Sequence, residues 1–110
     1  MGDRMDKLEH LFELQKTLQE RLGTDVKTQE FRNIMALAAF VELGEMMQET
    51  PFKPWKKNAS LKLNEARVEL IDLQHFVINL ALSLGMTADD FYNIYLIKNG
   101  VNHARQDKGY

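Results

Sequence analysis

At 110 residues the chain is long enough for one modest core and no second lobe, so a single domain spanning 1–110 is expected. A formal net charge of −2 and a pI near 5.9 exclude a global attraction to nucleic acid or to anionic membranes; any phosphate-binding charge has to be local, which suits a free nucleotide better than DNA. The absence of cysteine excludes a disulfide framework, a thiolate nucleophile and a thiolate metal ligand, and leaves hard, oxygen-bound cations.

The first helix is expected between Asp3, a good N-cap, and Gly23, a C-terminal stop, with Leu8, Leu11, Phe12, Leu18 and Leu22 mainly at helical spacing. The start, Met1 to Lys7, is charged rather than apolar, and no uninterrupted apolar run is long enough to span a bilayer. The expectation is no signal peptide, no membrane helix and a cytoplasmic location. From about Thr28 to Glu49 the chain is apolar on nearly every face, through Ile34, Met35, Leu37, Ala38, Ala39, Phe40, Val41 and Leu43, which predicts a central, buried second helix. Residues 50–60, with Pro51 and Pro54 around Phe52, Trp55 and three lysines, read as a loop whose basic and aromatic content is not that of a plain linker.

A third helix starts between Ser60 and Asn64, either of which suits a cap, and runs to Leu84 with Gly85 as its stop. Ala66, Leu70, Leu73, Val77, Leu80 and Leu84 form one apolar stripe and Val68, Ile71, Ile78 and Leu82 a second, so this helix too is expected to be buried on more than one side. Thr87-Ala88-Asp89-Asp90 is a near-capping-box start for a fourth helix carrying Phe91, Ile94, Tyr95, Leu96 and Val101. The sum is an all-α, antiparallel four-helix bundle-like domain, with apolar faces broad enough to predict completion by a homo-oligomer.

Glu42 and Glu45 share a face of the second helix, and Glu69 and Asp72 repeat that spacing on the third. Such pairs are usually solvated, but these sit among residues that expect burial, where four carboxylates repel one another and lose hydration. Only Arg32 and Arg67 on the same helices are placed to answer them, both near the starts. A divalent cation is the economical alternative, and all-oxygen ligation suits Mg²⁺, with Mn²⁺ as a substitute. A di-iron bundle needs Glu-x-x-His on two helices, and only Asp72-Leu73-Gln74-His75 comes near it, so His75 reads as a core or supporting residue.

Glu42-Leu43-Gly44-Glu45 followed by Glu69-Leu70-Ile71-Asp72 resembles the E-x-x-E…E-x-x-D signature of the all-α nucleoside triphosphate pyrophosphatases, the MazG-like and dimeric dUTPase proteins. Leu14-Gln15 with Leu18-Gln19, Phe52-Lys53-Pro54-Trp55-Lys56, Asp72-Leu73-Gln74-His75-Phe76 and the closing Lys98, Asn102, Arg105, Gln106, Gly109 and Tyr110 resemble the dimeric dUTPase branch in particular. The resemblance implies Mg²⁺ ligation by Glu42, Glu45, Glu69 and Asp72, with Glu45 orienting or deprotonating the attacking water. It implies a substrate site of Gln15, Gln19, Trp55, Lys56, Phe76, Lys98, Asn102, Arg105 and Tyr110: Trp55 over the base, Gln15 at its edge, Phe76 under the sugar, Lys98 and Arg105 on the phosphates.

Each of these has a plain structural reading too. Trp55 also suits a plug for the bundle, Phe76 plain core, and Lys98 and Arg105 cations answering a helix dipole. Two departures from the family pattern stand out. Gln19 occupies a place where that branch tends to have Asn, and the chain is shorter, lacking helices between the third helix and the last motif. The implied activity is Mg²⁺-dependent hydrolysis of dUTP to dUMP, with dUDP as a second candidate substrate. The alternatives are a MazG-like or dCTP-directed house-cleaning pyrophosphatase and a non-catalytic helical interaction module. The partners implied are a nucleoside triphosphate and further copies of the chain, as a dimer or a dimer of dimers, with neither nucleic acid nor membrane.

Overall fold

Short polar segments carrying caps divide the chain, and the helices begin where those caps can act. The computed structural model describes residues 6–109, in which four α-helices and no strand occur: α1 (Lys7–Leu22), α2 (Gln29–Gln48), α3 (Leu63–Ser83) and α4 (Ala88–Asp107). The expected first cap, Asp3, and the expected substrate contact Tyr110 lie outside the described residues. Asp6 caps α1, its Oδ1 accepting from the Glu9 amide at 2.8 Å. Thr28 caps α2, and Thr87 and Asp90 close a full capping box on α4. Gly23 at φ +69° and Gly85 at φ +76° supply the left-handed turns that end α1 and follow α3.

Helix α3 starts within the expected interval, between Ser60 and Asn64, but its cap differs from expectation. Neither Ser60 nor Asn64 is its cap; Lys62 holds that position with no side-chain cap bond. The Lys62 amide instead donates to the Glu49 carbonyl at 2.8 Å, so closure of the 50–62 loop onto the end of α2 sets where α3 begins.

Helices α2 and α3 form an antiparallel pair. Arg32 Nη1 donates to Ser83 Oγ at 3.2 Å near one end, and the Lys62 to Glu49 bond closes the other. Helix α1 lies against α3, and the first turn of α4 folds back onto both. The buried core is Phe12, Ile78, Ala81 and Ala88, with Leu8, Leu82, Met86 and Phe91 packed against it. The Phe12 and Phe91 rings meet edge to face at 5.6 Å.

Within one chain, α2 is not the buried helix its composition predicts. Only Phe31 is buried along it, while Leu37 and Phe40 are 65% and 75% exposed. A helix apolar on nearly every face needs neighbours on several sides, and α2 packs mainly on α3 alone. Helix α3 buries Ala66, Ile78, Asn79, Ala81 and Ser83 but leaves Val68 and Ile71 exposed. Helix α4 turns away from α3 by 102°, and every residue from Tyr92 to Gly109 is exposed. Among the described residues no single helix is long and apolar enough to cross a membrane.

Candidate active site

The antiparallel register of α2 and α3 decides which polar residues meet. On α3 the positions Glu69, Asp72, Phe76, Asn79 and Ser83 follow one another at alternating three- and four-residue spacing, so they share a face. That face meets α2 at Arg32, Met35 and Glu42. The register therefore brings Glu42 opposite the Glu69 and Asp72 pair, with one carboxylate oxygen of each within 4.8 Å of the others.

This arrangement is costly without a cation. Glu42 Oε2 is fully buried and has no hydrogen-bond partner among the described residues. The Glu69 carboxyl beside it, through a hydrogen bond that requires a shared proton, loss of hydration, and the negative field of Glu45 and Glu69 together raise the Glu42 pKa from 4.5 to about 7. Arg32 does not relieve it: its guanidinium donates to Lys27 O, Ser83 Oγ and Gln29 Oε1. The donor set is all carboxylate, with no histidine in the cluster. Oxygens around Mg²⁺ at 2.0–2.1 Å stand about 2.9–4.2 Å apart, so the Glu42, Glu69 and Asp72 oxygens need only small rotamer adjustments to ligate one ion. The residues present fit a hard divalent cation.

Glu45, the fourth carboxylate expected in the site, is exposed one turn beyond Glu42. It is near enough to act on the Glu42 pKa but is not part of the three-oxygen cluster. His75 is exposed, and its Nδ1 donates back to the Ile71 carbonyl at 2.8 Å.

A cavity of about 540 Å³ opens between α1, α2 and α3 beside the cluster, with Glu42 and Asp72 in its wall. Gln15, Gln19 and Phe76 also line it. The two glutamines project from one face of α1 and are each 7% exposed, a depth at which an amide has to serve a hydrogen bond. Gln15 Nε2 donates to Asn79 Oδ1 at 2.9 Å, and Asn79 Nδ2 points to Met35 Sδ at 3.5 Å. Asn79 is absent from the sequence-based set. Its signal was there, as a polar residue continuing the Glu69, Asp72, Phe76 stripe through an otherwise apolar stretch.

The remaining expected substrate residues are not brought to this cavity within one chain. Trp55 is 77% exposed in the loop, and Lys56 lines a separate hollow formed by residues 48–62. Lys98, Asn102 and Arg105 lie on the exposed length of α4.

A carboxylate cluster at the mouth of an amide-lined cavity, on four helices, is the arrangement of an all-α nucleoside triphosphate pyrophosphatase. The profile of a family described as dUTPase matches residues 7–87 and 77–110. The chain belongs to this all-α dUTPase family. It is 27% identical to the dCTP pyrophosphatase of Enterobacteria phage T4, covering all of this chain and 86% of the relative. That alignment runs over 148 positions against 110 residues here, so it spans residues of the relative that this chain lacks. A dCTP pyrophosphatase of Enterobacteria phage LZ5 is 35% identical over 78% of this chain, which spans 57% of that relative's length. A T4 DNA replication protein is 25% identical over 90% of this chain and 35% of its own length. No solved structure matches.

Proposed function

We propose that the chain hydrolyses a pyrimidine deoxynucleoside triphosphate to the monophosphate, releasing pyrophosphate, with dUTP as the substrate its family implies. The observation that carries this reading is the buried, unpartnered Glu42 oxygen beside Glu69 and Asp72, at the wall of a cavity that also holds two buried glutamine amides.

In this reading Glu42, Glu69 and Asp72 hold Mg²⁺, or Mn²⁺ in its place, and Glu45 completes the acidic set. Such an ion supplies charge neutralisation for phosphate oxygens and lowers the pKa of a bound water. Glu45, exposed beside the cluster, takes the proton of the attacking water on a carboxylate oxygen. Gln15 and Gln19 read the edge of the base, and Phe76 lies under the deoxyribose, where a 2′-hydroxyl meets an apolar ring with no partner. Lys98, Asn102 and Arg105 neutralise and hydrogen-bond the phosphates, and Trp55 and Lys56 cover the base end. Their distance from the cavity within one chain supports a second subunit as their source, in a dimer or a dimer of dimers.

A second reading, dCTP as the preferred substrate, is favoured by the similarity to two phage dCTP pyrophosphatases. Pyrophosphate release from dUTP, dCTP, dTTP and UTP, with Mg²⁺ and with excess EDTA, tests both. Turnover of dUTP or dCTP well above UTP, lost in EDTA, is expected. Equal turnover of all four would replace the pyrimidine-specific reading with a promiscuous pyrophosphatase, and full turnover in EDTA would remove the metal from it.

A further inference from the structure

Asn79 is 4% exposed and uncharged, and it stands between side chains from two other helices. A primary amide can turn over and exchange its donor for its acceptor, so Gln15 on its own would offer a base either one. The chain of contacts removes that freedom. The Met35 thioether accepts weakly and cannot donate, so Asn79 turns Nδ2 toward it and Oδ1 toward Gln15. Gln15 answers with one hydrogen of Nε2, which fixes the orientation of its amide and keeps Oε1 as its acceptor in the wall of the cavity that it lines with Glu42 and Asp72.

We propose that Asn79 is a positioning residue that sets nucleobase choice by holding Gln15 as a hydrogen-bond acceptor. This rests on the reading of the cavity as the base site. The favoured base is the one that turns an N–H toward Gln15; the disfavoured one turns a lone pair. Uracil and cytosine share a carbonyl at C2 and differ in this sense at the other two places on their pairing edge. Uracil has N–H at N3 and a carbonyl at C4, whereas cytosine has a lone pair at N3 and an amine at C4. A fixed acceptor facing N3 or C4 therefore separates the two bases, and an amide free to turn over does not.

The test is calorimetric titration of the full chain, in Mg²⁺, with the α,β-imido analogues of dUTP and dCTP and with abasic 2-deoxyribose 5-triphosphate. The wild type is expected to separate the two base analogues by about tenfold or more, as a buried hydrogen-bonding site should. In Asn79→Leu the ratio falls to within about twofold of one, chiefly through tighter binding of the disfavoured base, while the abasic compound shifts by less than about twofold. Met35→Leu, a volume-conserving change, removes the sulfur that orients Asn79 and gives an intermediate ratio; it carries the test if Asn79→Leu does not fold.

An unchanged ratio in the variants, an equal loss on all three compounds, or a wild type without base preference would each overturn the proposal. The hydrolytic reading is judged separately by pyrophosphate release from the natural triphosphates. A chain with the expected affinity ratios and no turnover would refute that reading and leave the role of Asn79 standing.

Discussion

Among individual residues, Glu42 concentrates the electrostatic cost of the site. Its pKa is raised from 4.5 to about 7, so between those values the folded chain binds a proton that the unfolded chain has released. The contribution is therefore fully favourable below pH 4.5 and is lost as pH rises through 7. In EDTA the wild type should lose melting temperature relative to Glu42→Gln as pH goes from 5 to 8, and Mg²⁺ should narrow the gap at pH 8. Parallel melting curves for the two proteins across that range would remove the strain from Glu42. If Glu42 is a metal ligand, the same substitution should also abolish turnover. Phe76 gives a second prediction. If it lies under the sugar, the wild type should prefer dUTP over UTP by about tenfold to a hundredfold, and Phe76→Ala should narrow that gap by improving UTP. An unaltered kcat/KM ratio alongside a lowered melting temperature would make Phe76 plain core. Much of this site was legible in the sequence, because two carboxylate pairs on apolar helices are conspicuous. Asn79 was not singled out, since one amide on a helix has no chemistry until its register against Met35 and Gln15 is known.

Among the helices, α4 bears most directly on assembly, because its cap is well made and its length is exposed. The Thr87 capping box and the Phe12 to Phe91 contact anchor the first turn, after which the helix is exposed throughout. Lys98 and Arg105 project from that length. If they hold phosphates, Lys98→Ala and Arg105→Ala should each weaken triphosphate binding by about 1.5–3 kcal/mol, the range for a charge-assisted hydrogen bond. Unchanged KM and kcat in both variants would return them to a helix-dipole role. The four helices themselves were legible because each is bounded by local chemistry: Thr28, Thr87, Gly23 and Gly85 act where their residue types predict. What holds the start of α3 was not, since a loop closure through the Glu49 carbonyl is a long-range bond that no local motif announces. Nor was the exposure of α2, because periodicity reports which faces are apolar and not which chain covers them.

For the whole molecule, the surface is larger than that of a compact monomer of this size. A compact monomer of 12.8 kDa exposes about 6,300 Å², and one of 110 residues has a radius of gyration of about 13 Å. The values here are 8679 Å² and 17.5 Å. The excess is greater than the roughly 800 Å² per partner of a standard interface, and Leu37, Phe40, Tyr95 and Ile97 on α2 and α4 are among the exposed apolar residues that would fill it. Stable association at micromolar concentration is expected, and an active monomer by light scattering would refute it. Association also predicts how the site is divided. The carboxylates sit on α2 and α3, and the expected phosphate ligands on α4 lie on a stretch exposed along its whole length. If a second subunit brings its α4 to the first subunit's cavity, a Glu69→Gln chain and an Arg105→Ala chain are each inactive or crippled but complementary. Mixed and reassembled, some pairings combine an intact carboxylate cluster from the Arg105→Ala chain with an intact α4 from the Glu69→Gln chain, and turnover should rise above that of either variant alone. If both halves of the site come from one chain, no pairing contains a complete site, and the mixture should show only the average of its two components.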